Sequence, residues 1–281
     1  MPLLPEITDD LEPAAVAGCD EVVCWNVLHG GGPSRMPEIA LELLRLRPHT
    51  VVLLEWRPSV GGQIAGVLAD HGLEHQLSTN PPPRTNGILI ASRSPLLPEA
   101  PPRSRRGALV PGHRWLGAHA PELGLSLAAV HVPCSGSSQD TRGFWRAIET
   151  LGVAGRRHPL LLVGDFNTDR SRASGVERRG RHALGRLATL GFVDAWRNTH
   201  PAGHDATWSG AHFGRETQGR IDQAWVSPAL APRLRGARHI HRARRLRISD
   251  HSAVGVSIAP KPRFFWGPGL YHSQKTLEKQ G

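Results

Sequence analysis

The sequence predicts an α/β sandwich with mixed sheets. Three observations carry that expectation. Short apolar runs rich in Val, Ile and Leu recur along the chain at the length of buried strands. Helical patterns lie between several of them, whereas the later runs follow one another with few helices between. Most runs also hand over, at their ends, to a carboxylate, an amide or an imidazole.

Taken in order, Glu21–Val27 and Thr50–Leu54 read as the first two strands. Between them, Met36–Leu46 places Ile39, Leu43 and Leu46 on one helical face, and Pro48 closes the helix. Ser59–Asp70 reads as a second helix and Gly87–Ala91 as the strand after it. Leu125–Val130 and Leu160–Val163 are further strands, with a helix expected over Thr141–Val153. His182–Leu190 reads as a shorter helix, and the strands Ile221–Val226 and Ser252–Ile258 close the series. NPPPR at 80–84 and PEAPPRSRR at 98–106 are expected loops, and 170–181 is a basic, Gly- and Ser-containing surface insertion. These elements set one domain over 20–259, an N-terminal arm over 1–19, and a tail over 260–281 that is either a packed arm or a disordered end.

Composition narrows the function classes. Of 281 residues, 39% are hydrophobic, enough for a sizeable core, and only 21% are charged, which excludes a disordered solvating chain. The net charge of +10 points to a polyanionic partner. Nearly all of it is arginine, since the lysines are Lys261, Lys275 and Lys279. No run of 18 or more apolar residues suggests a membrane span, and Met1–Asp10 is acidic and Pro-broken, unlike a signal peptide. Cys19, Cys24 and Cys134 lack zinc-ligand spacing and are too few and scattered for a disulfide framework, so a reducing cytoplasmic setting is expected. A monomer is the expected state.

The chemistry lies where the strands end. The first run leads to Asn26, the second to Glu55, and Leu125–Val130 to His131. Leu160–Val163 leads through Gly164 to Asp165 and Asn167, Ile221 precedes Asp222, and Ile248–Ser249 precedes Asp250 and His251. Strand ends are rigid points around which loops cluster. Oxygen ligands gathered there suit a hard cation such as Mg2+ or Mn2+, and two histidines add groups able to exchange protons near neutral pH.

These residues stand in the segments CWNVLHG (24–30), VVLLEW (51–56), NGILIASRSPL (86–96), AAVHVP (128–133), LLVGDFNT (161–168), ATWSG (206–210), GRIDQAWVS (219–227) and SDHSAV (249–254). In that order they resemble the endonuclease/exonuclease/phosphatase superfamily. GDFN, RID with its following apolar strand, and SDH form a specific signature together, though each is weak alone. The resemblance implies a four-layer α/β sandwich, two packed mixed β-sheets flanked by helices. It implies Glu55 as the main metal carboxylate, assisted by Asn26 and Asp250. It places Asp165 and Asn167 beside the scissile phosphate, with Asp165 acting on water. His251 then contacts the phosphate, Asp222 fixes its ring, and His131 lies near the leaving group.

The resemblance further implies a metal-dependent phosphodiester hydrolase, with a DNA nuclease as the leading expectation. A phosphatase or phosphodiesterase on a small metabolite or lipid headgroup is the alternative, and a non-catalytic nucleic-acid-binding module is a third reading. Arginines in 84–114, 170–186 and 233–247 are candidates to neutralise backbone phosphates. Arg84, Asn86, Trp208 and Arg220 are candidate substrate-binding residues, Trp208 being either structural or a stacking face. Glu55 is followed by Trp56 and Arg57 rather than by the lysine of exonuclease III-like repair enzymes. With His131 present, the site is expected nearer the DNase I-like branch than a dedicated abasic-site enzyme.

Overall fold

The computed structural model describes residues 14–29, 32–102, 112–134, 138–169, 177–212 and 215–262. Its first half contains β1 (Asp20–Asn26), α1 (Gly32–Leu46), β2 (Thr50–Trp56), α2 (Pro58–Asp70), β3 (His75–Ser78), β4 (Gly87–Ser92), β5 (Leu97–Glu99), β6 (Trp115–Ala120) and β7 (Leu125–His131). Then follow α3 (Ser138–Gly155), β8 (Leu160–Asp165), α4 (Glu177–Thr189), β9 (Val193–Asp194), α5 (Ala195–Thr199), β10 (Trp208–His212), β11 (Arg215–Gly219), β12 (Asp222–Val226), β13 (Leu234–Ile240), α6 (Arg242–Arg245) and β14 (Ala253–Ile258).

The strands form two six-stranded sheets, β13-β14-β1-β2-β4-β3 and β5-β6-β7-β8-β12-β9, with β10 and β11 as a separate hairpin. Both sheets are mixed. β1 and β2 run parallel in one, β7 and β8 in the other, and the flanking pairs are antiparallel. A parallel pair needs a crossover connection, and α1 and α3 supply the two.

Strand alternation explains the layers. Side chains at successive strand positions face opposite ways, so Val22 and Cys24 join Val52, Leu54, Leu127, Leu161 and Val163 in the core between the sheets. Val23, Trp25, Val51 and Leu53 point the other way, onto Ile39, Leu43, Ile64 and Leu68 of α1 and α2. On the far side, Val130, Leu160 and Leu162 pack on Phe144, Trp145, Ile148, Leu184 and Leu187 of α3 and α4. The result is the expected four-layer sandwich. Burying each such side chain contributes roughly 1.5–3 kcal/mol.

The expected apolar strands and four helices all appear, but β3, β5, β6, β9, β10, β11 and β13 were not anticipated. Part of the expected loop 98–106 is a strand, because Leu97–Glu99 pairs with β6. In the basic stretch 233–247, three arginines are engaged within the fold. Arg233 donates to the carbonyl oxygens of Leu123, Gly124 and Ala259. Arg238 forks the buried Glu21 carboxylate at 2.8 and 3.0 Å, and Arg242 pairs with Glu42 at 2.9 Å. These three guanidinium groups serve the fold, whereas Arg235, Arg245 and Arg247 of the same stretch are exposed. Residues 1–13 of the arm 1–19, 103–111 of the basic segment 84–114, 170–176 of the insertion 170–181 and 263–281 of the tail 260–281 lie outside the described residues. No helix among the described residues is long and apolar enough to cross a membrane, and no disulfide is present among them.

Candidate active site

Strand register alone assembles half of the site. β8 is central in its sheet, and its last residue, Asp165, is paired with His131 on β7 and with Asp222 on β12. Gly164 permits this packing, since a Cβ there would run into the Val130 carbonyl. The first sheet supplies the other half: Asn26 at the end of β1, Glu55 at the end of β2, and Asp250 and His251 just before β14. Glu55 sits at an irregularity in the β2–β4 register and has φ +57°, in the sparsely occupied left-handed region. Asn167 shares that conformation at φ +47°. Such strain clusters where a side chain must be aimed.

The side chains converge across the sandwich. Asn26 Nδ2 donates to Glu55 Oε1 at 3.4 Å and to Asp165 Oδ2 at 3.2 Å, linking the two sheets. Asp165 Oδ2 lies 3.8 Å from His131 Nε2 and 4.0 Å from His251 Nε2. His251 Nδ1 is 2.8 Å from Asp222 Oδ2, with both side chains buried. Asp250 accepts a hydrogen bond from Trp208 Nε1 at 2.9 Å. The Asn167 N–H donates to Asp165 Oδ1 at 2.8 Å, while its amide donates to the Val132 carbonyl.

Electrostatics divides these groups by role. For His251, burial opposes the charge, but the Asp222 charge and hydrogen bond, with Asp165 and Asp250, outweigh it and lift the pKa to about 10. His251 is therefore an imidazolium at neutral pH. Asp165 is pushed up to about 7, first by burial and then by Asp222. Burial lowers His131 to about 4 despite Glu55, so His131 is neutral at pH 7. Glu55 is lowered although burial opposes it. The pull comes first from the His131 imidazole, 3.7 Å away and titrating in the same acid range, then from the His29 N–H and charge and from Asn26.

Neighbours that the sequence reading passed over hold this arrangement. His29 reaches Glu55 Oε2 with its backbone N–H at 2.9 Å and with Nδ1 at 2.7 Å. It stands inside CWNVLHG, but nothing in the segment told a ligand-facing histidine from a turn residue. Thr207 Oγ1 accepts the Asp222 N–H at 3.0 Å, and Ser249 Oγ accepts the His251 N–H at 3.1 Å while donating to the Asn26 carbonyl. Arg35 of α1 clamps the carbonyls of Leu28 and Ile248.

The four residues assigned to substrate part company. Asn86 lies on the rim, accepting from Arg57 and 3.3 Å from His29 Nδ1. Arg84 is exposed, and Trp208 sits beside the group through Asp250. Arg220 requires a correction. It is 3% exposed and forks Asp194 at 3.2 and 2.6 Å, so its guanidinium is a buried structural partner withheld from substrate.

The donor set fits a hard divalent cation. Four carboxylates, Glu55, Asp165, Asp222 and Asp250, face one imidazolium. Asp250 Oδ1 is buried without a hydrogen-bond partner. Surplus negative charge and an orphaned oxygen are what a cation would satisfy.

Two mixed sheets packed face to face carry an acid–imidazole group where their strands end. The model of the Endonuclease/Exonuclease/phosphatase family matches residues 23–251, and the chain belongs to that family. Among solved structures it is similar to the 3′ phosphatase NExo from Neisseria bound to product DNA hairpin, with TM-score 0.68, 26% identity, and coverage of 85% of this chain and 99% of that one. The 3′-5′ exonuclease NExo from Neisseria meningitidis matches with TM-score 0.67 and 25% identity over the same shares. An AP endonuclease from Archaeoglobus fulgidus, with TM-score 0.68 and 18% identity over 85% of this chain and 99% of that one, shares the fold. No curated sequence relative matches.

Proposed function

We propose that the protein is a divalent-metal-dependent phosphodiesterase that hydrolyses DNA by water attack on phosphorus. The observation that carries this reading is the buried Asp222–His251 pair beside Asp165, which sets a charged donor next to a carboxylate able to take a proton near pH 7. Asp165 accepts the proton of the attacking water as its oxygen bonds to phosphorus. His251 donates a hydrogen bond to the negative oxygens of the transition state, and the Asn167 amide, with one hydrogen left beside its bond to Val132, adds a neutral donor. The P–O bond to the leaving group breaks, and that oxygen takes its proton from solvent. His131, neutral, orients the departing oxygen. Mg2+ or Mn2+ held by Glu55 and Asp250 would supply charge neutralisation at the phosphate, while Asn26, expected as a third ligand, instead turns its Nδ2 to Glu55 and Asp165 and its Oδ1 to the Leu28 N–H.

DNA is favoured because the similar NExo structure is bound to product DNA hairpin and the chain carries net charge +10. That relative is a 3′ phosphatase, which supports a second reading in which a terminal 3′ phosphate is removed. One experiment separates these readings. Labelled duplexes ending in 3′-hydroxyl or 3′-phosphate, plasmid, single-stranded DNA, RNA and a generic phosphate ester are incubated with Mg2+ or Mn2+, with and without chelator. Chelator-sensitive shortening or nicking of DNA supports the nuclease. Selective loss of the 3′ phosphate supports the second reading, and turnover of the generic ester alone rejects both.

A further inference from the structure

Asp205, His239 and His241 form a second acid–imidazole group, apart from the catalytic one. Their ligand atoms all lie within 4.8 Å of one another. A single oxygen, Asp205 Oδ2, is 2.7 Å from His239 Nδ1 and 2.9 Å from His241 Nε2. The arrangement follows from strand geometry. His239 is in β13 and His241 immediately follows it, so the two positions, i and i+2, project to one side. Asp205 comes from the loop before β10.

Each member is already oriented. Asp205 Oδ1 accepts the Ala206 N–H at 2.8 Å, which fixes the carboxylate with Oδ2 toward the imidazoles. His241 Nδ1 is 2.8 Å from Ser252 Oγ, a partner of the type that sets a metal ligand's tautomer. The His239 ring lies parallel to Trp196, with centroids 4.7 Å apart and planes 7° apart. His239 is 3% exposed, and its other nitrogen is buried with no hydrogen-bond partner. The chain thus buries an imidazole whose polar reach is confined to the nitrogen facing Asp205.

We propose that Asp205, His239 and His241 bind a borderline transition cation, Zn2+ being the best fit, at a site separate from the catalytic group. Two imidazoles and one carboxylate are a donor set preferred by zinc over magnesium or calcium. Ligands in a tetrahedron at ~2.0–2.1 Å from zinc stand roughly 3.3 Å apart, so the group would open by about half an ångström. Asp205 also borders a cavity of about 280 Å3, lined with it by His204, Asp169, Gln218, Arg197 and Arg220. The nearby Arg220 is already neutralised by Asp194 at 2.6 Å, and Arg244 stands behind His241, 3.3 Å from Nδ1.

The site braces the catalytic pair from behind. Thr207, two residues after Asp205, accepts the Asp222 N–H on Oγ1 and the Ser252 N–H on its carbonyl. Ser252 follows His251 and touches His241. A cation would therefore tie down both chain segments that carry Asp222 and His251. Ser252 is a positioning residue for this site.

The test uses the full chain stripped with chelator. Zn2+ uptake is measured by calorimetry and by metal content after gel filtration, and Co2+ is added as a spectroscopic probe. Wild type should hold zinc and give the visible absorption of tetrahedral Co2+. Asp205→Asn, which keeps the shape of the side chain, and His241→Ala should each lose that equivalent. Ser252→Ala should weaken zinc binding about tenfold, the lower end for an outer partner. Glu55→Gln should retain the equivalent, which separates this site from the catalytic one. No zinc uptake by wild type overturns the proposal. So does uptake that persists in folded Asp205→Asn but disappears in Glu55→Gln, because the zinc then resides at the catalytic group.

Discussion

Asp165 and Asp222 are register partners across β8 and β12, so two carboxylates are fixed side by side at the buried end of one sheet. They cannot both carry full charge without support. Burial and then the Asp222 charge raise the pKa of Asp165, and His251, bonded to Asp222, offsets part of that rise.

That relationship predicts the pH profile. Activity on a phosphodiester should rise as Asp165 deprotonates, through about pH 7, and fall as His251 loses its proton, near pH 10. Asn26 donates to Asp165 and favours its charged form, so Asn26→Ala should move the acid limb upward. A rate profile measured from pH 5 to 11 in wild type and Asn26→Ala checks both; an acid limb that stays put removes Asn26 from this role.

Asp165→Asn should trade activity for stability. The folded pKa of Asp165 lies above the unfolded 3.8, so the folded state binds its proton more tightly and its contribution declines as pH rises from about 4 to 7. Removing the carboxylate should stabilise the metal-free protein at pH 8 by about 1 kcal/mol or more, while turnover drops at least about a hundredfold. Denaturant melts at pH 5 and pH 8 should show the gain mainly at the higher pH. His251 has the same sign in a higher pH window. Its raised pKa stabilises the fold below about 6.5, and that support is lost as pH rises through about 10.

Asp222→Asn and His251→Ala should each slow turnover by about a hundredfold or more, and their effects should be strongly non-additive. The 2.8 Å bond between them makes them one device. A double-mutant cycle on kcat at saturating Mn2+ is the measurement, and additive losses reject the coupling.

Glu55→Gln should weaken the binding of Mg2+ and Mn2+ with little loss of fold, because an amide is a poorer ligand for a hard cation. Calorimetric titration of the metal, alongside a thermal melt, reads both. An unchanged titration takes Glu55 out of the metal site.

Glu21→Gln should destabilise the protein by roughly 3–5 kcal/mol, since it removes the carboxylate charge that the buried Arg238 guanidinium forks. Arg238→Ala should likewise lower stability without changing the salt dependence of DNA binding. Arg235, on the same edge but exposed, is the contrasting position. If Arg238→Ala instead reduces the log–log salt slope by about one, the guanidinium does contact phosphate.

How legible each part was in the sequence follows from where its partners lie. The apolar strands could be read because buried strands announce themselves locally, and their terminal residues, Asn26, Glu55, His131, Asp165 and Asp222, came with them. β6 and β13 could not. WLGAHA and LRGARHI break the apolar pattern with Gly, His and Arg, and the charge of Arg238 is matched by Glu21, 217 positions away. Arg220 misled for the same reason. Standing in a phosphate-site motif it suggested a ligand, and only the fold brings Asp194 to it. The Asp205 group was hidden too, its carboxylate standing 34 and 36 positions before the two histidines.

The division of the catalytic group between two sheets has a mechanical consequence. Asn26, Glu55 and His251 ride on one slab, His131, Asp165 and Asp222 on the other, and apolar side chains such as Leu54, Leu127 and Leu161 set the gap between them. Turnover is therefore a strain gauge for that gap. Pressure, heat or one methylene too many in the inter-sheet core will detune the reaction while the protein still counts as folded, and kcat will register the swelling of the sandwich before any melting curve does.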